Sequence, residues 1–230
     1  MFPVKIDEPG GRFPAATLTL VLMCIVVFVR QYTSGDAAGF IPLDFVYSIL
    51  HPGRGLIRSC INLLSSFFLH GGILHLAGNM WYLWIFGTAL EKLIGAVRCV
   101  GMFMLFGTVA MFFQVAHDPL SQIPIVGASG AIAGIMGAYL IVKPLAKIVF
   151  WFPPIFFFRL WAFIFLLFWF WLQWDSVNTS RLTGHSMIAW WAHIGGFICG
   201  AGYGVWLRVS AKGAMPQRVK RSPAFGRRHK

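Results

Sequence analysis

Apolar residues recur in six long runs, at about residues 14–30, 75–94, 98–116, 126–142, 157–174 and 187–207. A helix needs roughly 17–25 residues to cross a bilayer, and each run has about that length. The first run follows Lys5 and Arg12, as a signal peptide would. Arg30 directly after the run, with no small-x-small site before Gln31, predicts a retained span instead. Between residues 31 and 74 lies a long connection containing Pro42, Pro52 and Gly53. Its amphipathic run Leu56–Leu69 is expected outside the membrane or half-embedded at the outer face. The stretch Ile148–Phe158 is apolar, but Pro153 and Pro154 oppose a continuous helix and place it along the inner interface. The pattern predicts an all-α, polytopic membrane protein with six transmembrane helices. Residues 1–13 form a short N-terminal segment, 14–207 the helical domain, and 208–230 a basic tail expected to be disordered.

Composition sharpens this. Of 230 residues, 58% are hydrophobic and only 11% charged, and the mean hydropathy is +0.72. Soluble domains carry roughly 25% charged residues, so a water-soluble fold of this size could not cover its apolar surface. The net charge of +12 is unevenly spread: eight of nineteen basic residues lie between Arg208 and Lys230. A basic tail without aromatic stacking platforms fits anionic headgroups better than nucleic acid. With six spans and a cytoplasmic N-terminus, the inner segments hold Lys5, Arg12, Lys92, Arg98, Lys143, Lys147 and the tail. The outer segments hold Arg30, Arg54, Arg58 and Arg181, with Arg159 near the inner interface. This asymmetry predicts that both termini are cytoplasmic. Compact length and the lack of a targeting presequence point to a bacterial inner membrane. Cys24, Cys60, Cys99 and Cys199 are scattered without CxxC spacing, so neither a disulfide framework nor a zinc site is indicated.

Polar groups inside a bilayer are costly and therefore mark function. His75 and Asn79 share one face of the second span at i, i+4. Ser129 opens the fourth span in Val126-Gly127-Ala128-Ser129-Gly130, and His193 lies in the sixth within Ala192-His193-Ile194-Gly195-Gly196. In the predicted topology these spans all enter from the outer face, which puts the four groups at a similar depth. His193 comes out ~9 Å below the start of its span at 1.5 Å per residue. Small residues then supply a means of contact. Ser129, Ala133 and Gly137 follow at intervals of four beside Gly130, Gly134 and Ala138, and Gly196, Gly200 and Gly204 form a similar row. Small-xxx-small faces let membrane helices approach closely.

A serine hydroxyl is a weak nucleophile until a base takes its proton, and histidine is the usual partner. Ser129 as nucleophile and His193 as general base form the expected dyad. Glu91, the one acid within a span, lies ~18 Å deeper than Asn79 at helical rise and cannot orient His193. Asp118 and Asp175 fall in outer loops. The oxyanion of a tetrahedral intermediate needs donors. Asn79 and His75 side chains, with the Ser129 and Ala128 backbone N–H groups at a helix start, can supply them. Two other classes are weighed: a non-catalytic binder of transmembrane segments, and a transporter using His75, His185 and His193. The second lacks an internal repeat. No HExxH run occurs, so no metal is indicated, and no cofactor is expected.

Across roughly residues 65–205 these motifs resemble the rhomboid family of intramembrane serine proteases. His70-Gly-Gly-Ile-Leu-His75-Leu-Ala-Gly-Asn79 looks like the family's second-span motif, Gly127-Ala128-Ser129-Gly130 like its GxSG, and Ala192-His193-Ile194-Gly195-Gly196 like its sixth-span histidine motif. The resemblance implies structural roles for His70 and Glu91, and a six-helix bundle whose site opens to a water-filled cavity from the outer side. It also implies single-pass membrane proteins as substrates, cut near their spans at small or helix-breaking residues. Two departures stand out. Ile61-Asn62 occupies the place where the family often has Trp-Arg, and Ala133 replaces an aromatic residue four positions after the serine.

Overall fold

The computed structural model describes residues 2–6, 13–35, 39–51, 53, 55–152, 154, 156–183 and 188–214. Arg12, Pro52, Arg54, Pro153, His185 and Met187 lie outside the described residues, as does the tail from 215 to 230. Residues 208–214, expected to begin a disordered tail, instead continue the last helix.

The first long helix, α1 (Ala15–Ser34), starts after Pro14, which has no side chain able to cap it. The cap comes from 75 residues away. Glu91 accepts hydrogen bonds from the Ala16 N–H (2.9 Å), the Thr17 N–H (2.7 Å) and the Thr17 hydroxyl (2.7 Å). A buried carboxylate at a helix N-terminus both satisfies free N–H groups and meets the positive end of the dipole. The following connection folds into two short helices, α2 (Pro42–Leu50) and α3 (Leu56–Ser66). On α3 the outward face carries Ile57, Ile61 and Leu64, while Ser59, Leu63 and Ser66 turn inward. That apolar outward face agrees with half-embedding. Despite Ile61-Asn62, the connection is tied down. Gly127 donates its N–H to the Ser66 carbonyl at 2.8 Å, and Phe67 is buried against Gly107, where an added Cβ would meet the ring at 3.0 Å.

Helix α4 (Ile73–Tyr82) passes through a π-helical turn, Leu83–Gly87, into α5 (Thr88–Ile94). At Gly87 a side chain would press on Thr17 at 3.1 Å, so α1 passes close against this turn. The chain reverses at Gly95 and returns as α6 (Ala96–His117). Then come α7 (Ser129–Val142), the strands β2 (Lys147–Phe152) and β3 (Phe156–Trp161), α8 (Ala162–Thr183) and α9 (Trp190–Ala214). The helices account for the runs of apolar residues, but the all-α expectation needs correction. With β1 (Phe2–Ile6), strands β2 and β3 make an antiparallel sheet of order β1-β2-β3. The aromatic and β-branched residues here form two six-residue strands, a composition that favours pairing. Ile148 and Phe150 point into the core, while Phe156 and Phe157 are exposed.

At the centre, α7 is enclosed: every residue from Gly130 to Leu140 is buried. The small residues bring backbones together. A side chain on Gly196 would collide with the Gly130 carbonyl, one on Gly200 with the Gly134 carbonyl, and one on Gly137 with the Phe197 carbonyl. Gly130 and Gly134 themselves open toward α6, at Ala110 and Phe106, rather than toward α9. Thus one row on α7 serves two neighbours, its carbonyls facing α9 and its missing side chains facing α6.

The outer surface is apolar. Leu22, Val26 and Val29 on α1, Leu167, Phe168 and Trp171 on α8, and Val205 and Trp206 on α9 are all exposed. A water-soluble protein rarely shows such contiguous patches. Among the described residues, Ala15–Ser34 and Ala96–His117 are long and apolar enough to cross a membrane, and Ser129–Val142 is a shorter apolar helix.

Candidate active site

Local sequence dictates where Ser129 stands. Gly127 adopts φ +118°, a conformation L-residues rarely take, and turns the chain into α7. Ser129 is the first residue of that helix, and the first closed helical bond is Ile132 N–H to the Ala128 carbonyl at 2.9 Å. The N–H groups ahead of it, Ser129 among them, have no partner inside the helix. On α9, one turn in, His193 faces the serine across the glycine seam. Its Nε2 is 2.8 Å from the Ser129 Oγ.

The proton positions follow from the partners. His193 Nδ1 lies 2.8 Å from the Gln173 Oε1 of α8. An amide oxygen only accepts, so Nδ1 carries the proton and Nε2 is bare, able to accept from the serine hydroxyl. Trp169 and Trp190 flank the ring, at centroid distances of 6.1 and 5.7 Å. Gln173, Trp169 and Trp190 were not singled out in the sequence. A signal existed: Gln173 and Arg159 are the only charged or amide side chains in the apolar run 157–174.

The second-span pair closes the other side. Asn79 is buried, and its Nδ2 has no hydrogen-bond partner among the described residues. His75 Nδ1 accepts a long bond of 3.4 Å from the Gly71 N–H, which leaves Nε2 as its protonated nitrogen. A Cβ placed on Gly127 would sit 2.9 Å from His75 Nε2 and 3.3 Å from Asn79 Nδ2. Both donors therefore border the turn that leads into Ser129. His70 lies behind them, fully buried, its ring 5.3 Å from that of His75. Its backbone is clasped by Gln31 of α1, which accepts from the His70 N–H (3.2 Å) and donates to its carbonyl (2.9 Å). Glu91 takes no part in the site; it is engaged with α1.

Ser129, His193, His75, Asn79 and Gln173 line one cavity of about 1420 Å³, walled by α4, α6, α7, α8 and the segment before α9. No group of three or more His, Cys, Asp or Glu that could hold a metal occurs among the described residues.

The rhomboid-domain family model matches residues 58–210. Rhomboid protein 1, mitochondrial, of Saccharomyces cerevisiae is 30% identical over 178 residues, covering 76% of this chain and 49% of the relative. Rhomboid protease GluP of Bacillus subtilis is 41% identical over 80 residues, 35% of this chain and 15% of the relative. Presenilin-associated rhomboid-like protein, mitochondrial, of Rattus norvegicus is 31% identical over 101 residues, 42% of this chain and 26% of the relative. The chain spans about half the length of the yeast relative and less of the other two. With the family match reaching from α3 to α9, the chain belongs to the rhomboid family, an integral membrane family whose members are generally serine intramembrane proteases.

Proposed function

We propose that the chain is an intramembrane serine endopeptidase that cleaves transmembrane or membrane-proximal segments of single-pass membrane proteins with a Ser129–His193 dyad. The observation that carries this reading is the 2.8 Å contact between Ser129 Oγ and His193 Nε2 in a cavity that Asn79 also lines, its Nδ2 without a partner among the described residues. In the reaction, His193 Nε2 takes the hydroxyl proton as Oγ attacks the scissile carbonyl. The oxyanion is held by Asn79 Nδ2, His75 Nε2–H and the Ser129 and Ala128 backbone N–H groups. His193 then gives its proton to the leaving amine. A water that passes its proton to the same nitrogen attacks the acyl carbon, the C–Oγ bond breaks, and His193 returns the proton to Oγ as the acid product leaves.

Six crossings complete the picture: α1, α4 with α5, α6, α7, α8 and α9, with both termini cytoplasmic and the cavity open to the outer side. The catalytic domain covers 14–207. Helix α7 has 14 residues, ~21 Å at helical rise, against a hydrocarbon core of ~30 Å. Ser129 therefore starts below the outer face, and water must reach it through the cavity. The relatives include mitochondrial and Bacillus proteins alike, so they give no support to the bacterial inner membrane over another host membrane.

The test is cleavage of a labelled single-span substrate in vesicles by wild type, Ser129→Ala and His193→Ala. Wild type cleaves, and each variant loses about 10⁴-fold or more of kcat. Cleavage by all three alike rejects the dyad. Binding of the substrate by wild type without any cleavage of varied substrates moves the protein to the class of non-catalytic binders.

A further inference from the structure

From the packing of α8 against α9, we infer that Gln173 is a positioning residue for the dyad, setting the tautomer and angle of the His193 ring. The inference rests on the reading of Ser129 and His193 as nucleophile and base.

A histidine base must present a bare nitrogen to the serine, and a neutral imidazole has two tautomers to choose between. Soluble serine hydrolases make this choice with a buried acid on the far nitrogen. Among the described residues no acid is hydrogen-bonded to the His193 ring, whose nitrogens meet Ser129 and Gln173. The carboxylate of Glu91 is spent on α1, and Asp175, expected in an outer loop, lies instead within α8 just beyond Gln173. Gln173 occupies the place of the acid, its Oε1 2.8 Å from His193 Nδ1.

The orientation of an amide must be argued, because its oxygen and nitrogen can exchange places. Here the second contact decides it. Gln173 Nε2 donates to the Trp169 carbonyl one turn back on α8, at 3.2 Å. Flipping the amide would set two oxygens against each other and turn an N–H toward the ring. With Nε2 held by that carbonyl, Oε1 faces His193 as an acceptor. Gln173 is buried at the cavity wall, so an unmatched amide there would be costly.

The same helix also steadies the ring plane. Ala133, four residues after the serine, is buried and too small to touch the imidazole broadly. Trp169 lies beside the ring instead, tilted 38° to it, while Trp190 meets it nearly edge-on at 84°. Thus α8 contributes both a hydrogen bond and a wall. From other elements, the titratable side chains on the same cavity include His75 of α4 and, at the end of α6, His117 and Asp118; Gln173 itself is neutral. The ring can therefore gain and lose a proton during catalysis without a permanent counter-charge hydrogen-bonded to it.

The variants to compare are Gln173→Met, which keeps length and removes the acceptor, and Gln173→Glu, which restores an acceptor with charge. In the vesicle cleavage assay Gln173→Met lowers kcat about 10- to 100-fold with KM little changed. Gln173→Glu recovers most of that loss. It also moves the acid limb of the kcat–pH profile upward, because a carboxylate favours the protonated ring. A merely structural residue would not shift that limb. Wild-type kcat and an unmoved pH profile in both variants overturn the proposal while leaving the dyad standing.

A second measurement does not depend on turnover. In detergent-solubilised protein with 15N-labelled histidine, His193 is identified by difference from His193→Asn. Wild type shows one ring nitrogen protonated and one bare, with the proton on Nδ1. Gln173→Met shows a mixture of tautomers. An unchanged single tautomer in Gln173→Met overturns the proposal whether or not the protein cleaves any substrate. Failure of the dyad itself reads differently, as wild-type cleavage that survives Ser129→Ala.

Discussion

The seam between α7 and α9 and the attachments of α1 and α8 solve the same problem by different means. At the seam, backbones touch: Gly196 and Gly200 rest on the carbonyls of Gly130 and Gly134. Elsewhere side chains span wider gaps. Glu91 caps α1, and Gln31 clasps His70. On α8, Phe165 packs its ring near Tyr82, Phe86 and Phe150. Backbone contact allows no adjustment, so the seam fixes the distance from Ser129 to His193. Side-chain contacts can rotate and re-pack, so they suit orientation and the walls of a cavity that must admit a peptide. In a bilayer, where lipid is as apolar as leucine, close packing of small residues is also a principal source of helix association.

The largest expected effect comes from filling the seam. Gly200→Val drives a branched side chain into the Gly134 carbonyl, and overpacking of that kind costs about 3 kcal/mol or forces the helices apart. Thermal unfolding in detergent drops sharply, and cleavage by the folded fraction falls by about 100-fold or more as the serine and histidine separate. Gly202→Val is the control. It lies on the same helix, but a Cβ there meets nothing within 4 Å, and both readouts stay near wild type. Equal behaviour of the two variants would break the comparison.

Removing the α1 cap should cost stability without touching chemistry. Glu91→Ala leaves the Ala16 and Thr17 N–H groups without their acceptor, a loss of about 3 kcal/mol, read as a lower unfolding temperature. The cleavage rate per folded molecule stays unchanged. A large loss of that rate, with stability intact, would mean that the cap itself acts on the site.

The smallest effect is a pH dependence. Burial, with His75 alongside, pushes the His70 ring down to about 4 from its ordinary 6.5. The folded state then holds the neutral ring while the unfolded chain binds a proton more readily. The stability this confers is full above pH 6.5 and declines as pH falls toward 4. Unfolding temperatures of wild type at pH 7.5 and pH 5 should differ, and His70→Asn should narrow that difference. An identical difference in the variant would remove His70 as its source.

Much of this arrangement was legible in the chain. The apolar runs predict the long helices because a segment that buries its backbone among apolar side chains must satisfy its own hydrogen bonds. Ser129, His193, His75 and Asn79 stood out because polar groups in such runs are expensive, and the structure gathers all four around one cavity. The run at 148–158 is expected along the inner interface without a continuous helix, and the sheet is not foreseen. Two six-residue stretches of that region are aromatic and branched enough to pair, and β1 from near the N-terminus completes the sheet. Glu91 could be excluded from the dyad by depth alone, yet its bond to Thr17 could not be foreseen.

What the sequence determined by itself was the periodicity, the family and the residues with chemistry to offer, because each is a property of short segments. Tertiary structure decided what faces what. Gln173 became a partner of His193, Glu91 a cap for α1, and Gly130 a contact for both α6 and α9 only when helices distant in sequence were packed. A hydrogen bond needs its partners placed to within about half an ångström and in the right direction. That placement arises from the summed packing of the whole bundle, which no local stretch of the chain encodes.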